Sequence, residues 1–223
     1  MCFIKECPLE YSVDMNSDFN FEIKRKRPEE IYEKVSDYFR GEVLSNYAKS
    51  KSLMRIQEKI TARALELLEL KDKNLLILDA GSGPGFTSIY LLEVGYQVVA
   101  LDIISDFLYF YDIKELNPIL SDMCFLPFQK NTFDAIISIS ALQWIYRDLN
   151  NKIMRYKLIQ LAKNTEKILK SGSKAIFQFY PKNNLIMEAV GKIFAENTNL
   201  NGSFIIDNPD NPKKRRIFIV LNK

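Results

Sequence analysis

Apolar runs rich in isoleucine, valine and leucine alternate along this chain with longer stretches whose apolar residues recur every three or four positions. That is the pattern of a mostly parallel sheet layered with helices. Residues 75–79, 97–102, 119–120, 133–139 and 175–179 read as strands, and residues 204–206 with 217–221 as a closing hairpin. Helical spacing runs from Pro28 to Gly41 through Ile31, Val35 and Phe39, and from about Leu53 to Leu70 through Ile56, Ile60, Ala64, Leu67 and Leu68. It recurs between the glycine-rich turn and Gly95, and from Ser105 through Tyr111. A last helix, from about Leu149 to Leu169, sets Met154, Leu158, Leu161 and Ala162 on one face and stops at Gly172. The consecutive Phe107, Leu108, Tyr109, Phe110 and Tyr111 exceed what one helix face can bury, so part of this run is expected to be doubly buried or to meet a partner. Pro118 supports an edge position for Ile119 and Leu120, open to strand addition by another protein.

The turn after the first strand reads Asp79-Ala80-Gly81-Ser82-Gly83-Pro84-Gly85. Dinucleotide enzymes use G-x-G-x-x-G to set a pyrophosphate against a helix N-terminus, whereas here the glycines recur at every second position and an acid precedes them. A carboxylate at the strand end repels a pyrophosphate and favours a cation. S-adenosylmethionine, which carries an ammonium and a sulfonium and no phosphate, is therefore the expected ligand, with an ordinary strand-to-helix turn as the alternative. Pro84 suits the first helical position because it needs no amide hydrogen there. Asp102, ending the second strand, is placed to accept from ribose hydroxyls or to cap the next helix, and Asp122 to accept from an adenine amino group or to hold a turn. Tyr47, between two helices, is a candidate lid. At the end of the central strand stand Ser140-Ala141-Leu142-Gln143-Trp144, where substrates of such folds bind. Trp144 suits a platform for a base, or the core, and Gln143 a reader of the base edge. The following strand delivers Tyr180, Pro181, Lys182 and Asn183 to the same face, where Tyr180 can stack and Lys182 meet a phosphate.

Composition narrows the chemistry. With 223 residues, 47% of them hydrophobic, the chain suits one globular domain over residues 28–223, preceded by an arm of residues 1–27. The net charge of +3 confines any nucleic-acid contact to local basic runs, Lys24-Arg25-Lys26-Arg27, which reads first as solvated surface, and Lys213-Lys214-Arg215-Arg216, which reads equally as either. Three cysteines, Cys2, Cys7 and Cys124, lack metal spacing and argue for a reducing compartment, and no apolar run reaches the length of a membrane span, so a cytoplasmic protein is expected. There is no histidine, which excludes Ser-His-Asp and Cys-His hydrolysis, His-metal sites and imidazole bases. The residues after the central strand are neither Asn-Pro-Pro-Tyr nor a Pro-Cys or Thr-Cys nucleophile, so amide methylation and covalent attack on a pyrimidine are not expected.

Together the segments from Ile56-Gln57 to Leu68, the glycine turn, Ser138 to Trp144, Gln178-Phe179-Tyr180-Pro181-Lys182-Asn183 and the terminal hairpin resemble the guanine-N7 methyltransferases of small-subunit ribosomal RNA. Ser82 and Pro84 stand where that family commonly shows Cys and Ser. The resemblance implies a class I, Rossmann-like α/β fold with helices on both faces of a seven-stranded, mostly parallel sheet that ends in an antiparallel hairpin. It implies S-adenosyl-L-methionine bound by Tyr47, Asp79, Gly81, Ser82, Gly83, Gly85, Asp102, Ile103, Asp122, Met123 and Ser140. It also implies base handling by Gln143, Trp144, Tyr180 and Asn183. The expected partners are small-subunit rRNA or the pre-ribosome, and a small zinc-binding activator protein forming a heterodimer at Ile119, Leu120 and the run from Phe107 to Tyr111. No metal site is expected in the chain itself. A small-molecule methyltransferase, or an assembly factor whose binding matters more than its chemistry, are the alternatives.

Overall fold

A computed structural model of the chain describes Phe21, residues 26–111, Leu116 and residues 118–223. Most of the expected arm, including Cys2 and Cys7, lies outside the described residues. Seven strands form one sheet: β1 (Leu76–Ala80), β2 (Gln97–Asp102), β3 (Ile119–Leu120), β4 (Phe133–Ile139), β5 (Leu169–Phe179), β6 (Asn201–Asp207) and β7 (Arg216–Asn222), in the order β3-β2-β1-β4-β5-β7-β6. The first five run parallel, while β7 lies antiparallel between β5 and β6. The strand order reverses between β1 and β4, the switch point at which open α/β sheets bind ligands.

Nine helices occur among the described residues: α1 (Pro28–Ile31), α2 (Val35–Tyr38), α3 (Gly41–Ala48), α4 (Lys51–Leu68), α5 (Phe86–Glu93), α6 (Ser105–Leu108), α7 (Leu142–Ile145), α8 (Lys152–Ile168) and α9 (Asn184–Asn197). Both faces of the sheet are covered because the strands are apolar on both sides. Along β7, Phe218 and Val220 join α4 and α5 in one core, while Ile217, Ile219 and Leu221 join α8 and α9 in the other. The helices start where local chemistry caps them, with Ser50 accepting from the Leu53 amide, Asn151 from Met154 and Asn183 from Ile186.

Several elements differ from the pattern reading. The helix expected from Pro28 to Gly41 is two single turns, because Tyr32 leaves α1 in an extended conformation and Lys34 re-enters α2 from one. Gly41, at φ +53°, starts α3 rather than ending a helix. The α9 helix was not anticipated, although Ile186, Met187, Val190, Ile193 and Phe194 form its buried face. The run from Phe107 to Tyr111 does not continue as a helix. Because α6 ends at Leu108, successive rings leave in different directions: Phe107 is buried beside Leu44 and Ile104, Phe110 packs on the same cluster, and Tyr111 turns back on the glycine turn. Of that run only Tyr109, 86% exposed, stands free at the surface.

Candidate active site

The glycine turn hangs on the end of β2. The Gly81 and Ser82 amides donate to the Leu101 carbonyl at 2.8 and 3.0 Å, and the Gly83 amide donates to Asp102 Oδ2 at 2.7 Å. Gly81 has φ +81°, and a Cβ there would stand 2.6 Å from the Ala141 Cβ, so both backbone conformation and space require glycine. Gly85, at φ +92°, meets the ring of Tyr111, whose hydroxyl donates to Ser82 Oγ at 2.7 Å.

In front of the turn lies a cavity of about 450 Å³. Gly81, Ser82, Gly83, Asp102, Ile103, Asp122, Met123, Ser140, Trp144 and Tyr47 line it. Eleven residues were expected at the cofactor, and Asp79 and Gly85 are the two that do not reach the cavity. Asp79 is 1% exposed and sits behind the turn, where the Ser88 hydroxyl donates to its Oδ2 at 2.5 Å. The carboxylate therefore ties β1 to the first turn of α5 instead of facing a ligand. Burial pushes its carboxyl up to about 7, against the Ser88 hydrogen bonds. Gly85 is covered by Tyr111.

The remaining acids do face the cavity. Asp102 Oδ1 accepts from the Ile104 amide at 2.8 Å while Oδ2 takes Gly83, which leaves lone pairs on each oxygen for further donors. Burial raises its pKa, and those amides oppose the rise. Asp122 accepts from the Cys124 amide at 2.9 Å and from Lys157 Nζ at 3.0 Å. Burial pushes Asp122 up, but the amide and Lys157 outweigh it, and the net shift is downward.

Helices α2 and α3 close the cavity with aromatics. Tyr47 meets Phe39 edge-on at 5.0 Å between centroids, Phe39 and Phe107 are also 5.0 Å apart, and Tyr38 stacks on Trp144 at 6.0 Å. Burial pushes the Tyr47 hydroxyl up to about 12, opposed by its hydrogen bond with Gln57, so it stays protonated. Phe39, Gln57, Phe86, Phe107 and Lys157 line the cavity without having been singled out from the sequence for this site. Each sits on a helical apolar or polar stripe that reads as ordinary core or surface.

The residues expected to handle a base divide between two places. Trp144 lines the cavity before the glycine turn, whereas Gln143, Tyr180 and Asn183, with Lys182, line a second cavity of about 370 Å³. Ser140, with a left-handed backbone (φ +59°), turns the chain from β4 towards α7, the helix on which Gln143 and Trp144 are neighbours. Gln178 fixes this turn: its carbonyl accepts from the Ser140 amide and its Oε1 from the Ser140 hydroxyl, each at 2.9 Å. The basic run at the β6–β7 connection also divides, with Lys213 and Lys214 exposed and Arg215 buried, donating to the Pro209 carbonyl. No helix among the described residues is long and apolar enough to cross a membrane, and no metal-binding group of His, Cys, Asp and Glu occurs among them.

A sheet with this order, a glycine turn at its switch point and an acid ending β2 define a class I S-adenosylmethionine-dependent methyltransferase, and a methyltransferase-domain family model matches residues 78–177. Two solved structures share the fold: a TehB-like SAM-dependent methyltransferase of Corynebacterium glutamicum (TM-score 0.59, 18% identity, 81% of this chain and 97% of that one) and a SAM-dependent methyltransferase of Aquifex aeolicus (TM-score 0.56, 15% identity, 75% and 91%). The chain is 34% identical over 206 residues to an 18S rRNA (guanine-N7)-methyltransferase of Saccharomyces cerevisiae, covering 88% of this chain and 72% of that one. It is 31% identical over 189 residues to its counterpart in Bos taurus, covering 82% and 67%. The chain belongs to the 18S rRNA (guanine-N7)-methyltransferase family.

Asp79 gives the fold a pH signature. Its folded pKa stands above the unfolded value of about 3.8, so the native state holds the proton more tightly and this stabilisation is complete below that pH. As pH rises towards 7 it is lost, at up to about 1.4 kcal/mol per pH unit. Urea unfolding at about pH 5 and pH 7.5 is expected to show a clear loss of stability in the wild type and a much smaller one in Asp79→Asn.

Proposed function

We propose that this chain transfers the methyl group of S-adenosylmethionine to N7 of a guanine in small-subunit ribosomal RNA, during ribosome maturation in the cytoplasm. Membership of the guanine-N7 family supports the reaction, and the observation that carries it to this chain is Trp144, set in the wall of the cofactor cavity beside Tyr38 and Phe39. The cavity suits the cofactor. Asp102 offers acceptors to two ribose hydroxyls, Ile103 and Met123 flank a flat base, Asp122 accepts from its amino group, and the bare backbone of Gly81 and Gly83 admits the amino-acid end. When bound, the cofactor supplies an electrophilic methyl group on a sulfonium.

The rest is positioning. Guanine N7 carries an in-plane lone pair and no proton, so its methylation needs alignment and no general base, in keeping with a chain without histidine. Trp144 supplies an aromatic surface against which the base is held, and Tyr47, with its hydroxyl protonated and its ring packed on Phe39 and Phe107, helps to exclude water. Gln143, Tyr180 and Asn183 contact the RNA from the second cavity.

We also assign the sheet edge to the activator protein. Among the described residues the end strand β3 pairs with β2 alone, its Leu120 is 57% exposed, and Tyr109, in the segment between β2 and β3, is 86% exposed. An unpaired edge flanked by exposed apolar side chains suits addition of a strand from a partner.

With labelled S-adenosylmethionine and small-subunit rRNA, nuclease digestion is expected to release 7-methylguanosine; label in any other nucleoside refutes the assignment. Trp144→Ala should lower kcat at least tenfold with cofactor affinity unchanged, while Asp102→Ala should weaken the cofactor about 10- to 100-fold, the loss of one or two hydrogen bonds to a charged acceptor. Leu120→Asp with Tyr109→Asp should abolish co-purification of the activator and leave cofactor affinity of the purified chain intact.

A further inference from the structure

Between α1 and α3 the chain runs along the cofactor cavity with little to hold it there. Glu33, Lys34, Val35, Ser36 and Phe39 line that cavity. None of residues 32–40 is buried, however, and their one helix, α2, is a single turn. A segment that buries so little apolar surface belongs to the part of a fold that opens most readily.

Phe39 anchors the far end of the segment against Tyr47 and Phe107. The rest is held at α7 and the chain that leaves it. The Tyr38 ring stacks on Trp144 at 6.0 Å, and Arg147, three residues beyond Trp144, supplies the polar half of the contact. Its Nη2 donates to the Glu33 carbonyl at 2.9 Å and to the Tyr32 carbonyl at 3.3 Å, while its Nη1 donates to the Trp144 carbonyl at 3.2 Å. Both segment carbonyls lie at the break between α1 and α2, where Tyr32 and Lys34 are extended, and neither takes a backbone amide among the described residues. No other hydrogen bond among the described residues ties residues 32–40 to any element after α3. A planar guanidinium with donors on both arms can bridge α7 and the segment at once; an ammonium offers only a point charge.

We propose that Arg147 is a positioning residue of the methyl transfer, the clasp that holds residues 32–39 along the cofactor and against Trp144. The inference rests on the reading of this cavity as the cofactor's and deepens it. With the clasp made, the segment walls the bound cofactor from water; with it released, the cofactor exchanges. Aromatic platform and clasp stand on one short piece of chain, so the same residues set the closed segment and the surface offered to the base.

Trp144 is the one tryptophan among the 223 residues, so fluorescence reads this contact directly. Two quantities are measured on the purified chain: quenching of Trp144 by acrylamide, and the rate at which bound S-adenosylhomocysteine dissociates in stopped flow. Arg147→Ala is expected to raise the quenching constant about twofold and to speed dissociation at least about fivefold, the loss of hydrogen bonds from one charged donor. Its Tm should stay within about 2 °C of wild type, because only a local opening changes. Arg147→Lys should fall between the two, keeping the charge and losing the fork. Wild-type quenching and dissociation in Arg147→Ala overturn the proposal. A lowered Tm with both quantities unchanged overturns it as well and leaves Arg147 a structural role alone, and so does faster dissociation with Trp144 no more accessible. Should Arg147→Ala fail to fold, wild-type values of both quantities in Arg147→Lys overturn it. A wild-type chain that binds no S-adenosylhomocysteine removes the cofactor from the cavity, and the inference falls with that reading; wild-type binding with unaltered variants strikes the clasp alone.

Discussion

Everything at the centre of this molecule depends on one missing side chain. Gly81 lets the turn after β1 lie against Ala141, and a single Cβ at that position would collide with it at 2.6 Å. That contact joins the cofactor turn to the chain leaving β4. The same turn is hung on the Leu101 carbonyl and on the Asp102 carboxylate, so three neighbouring strand ends, β2, β1 and β4, are locked around one cavity by backbone groups. Asp79 completes the arrangement from behind by holding Ser88 of α5. Its cost is a buried carboxylate, tolerable because hydrogen bonds partly satisfy it.

From this frame the chemistry follows as positioning. A left-handed Ser140, pinned by Gln178, leads into α7, from which Trp144 reaches the cavity before the glycine turn and Gln143 the second cavity. For guanine N7 no proton has to move, and alignment is the whole requirement.

Much of the sheet was legible in the sequence because its strands are apolar on both faces and bounded by turn residues; β2, β3 and β4 match the pattern reading residue for residue. Helices α8 and α4 were legible through their stripes, to within a few residues at each end. What failed did so for identifiable reasons. A continuous stripe through Ile31, Val35 and Phe39 cannot reveal that Tyr32 is extended, with its ring 5.4 Å from that of Tyr38, which in turn stacks on Trp144 far away in sequence. The aromatic run after Ser105 was read as a helix through Tyr111, whereas α6 ends at Leu108, which buries Phe107 and leaves Tyr109 exposed. Asp79 was taken as facing a cationic ligand; spacing placed it at the strand end but could not say to which side of the turn it points. Gln143 and Trp144 were recognised together, yet they line different cavities, which their adjacency in the sequence does not announce.

The central claim is that the cavity before the glycine turn holds the methyl donor and that Trp144 in its wall holds the guanine. The most direct measurement is a structure of the chain bound to S-adenosylhomocysteine and a guanosine-containing rRNA fragment. The expected result places the ribose hydroxyls on Asp102, the guanine ring against Trp144 and N7 facing the cofactor sulfur. A guanine whose Watson–Crick edge faces the cofactor, or one bound away from Trp144, would contradict it.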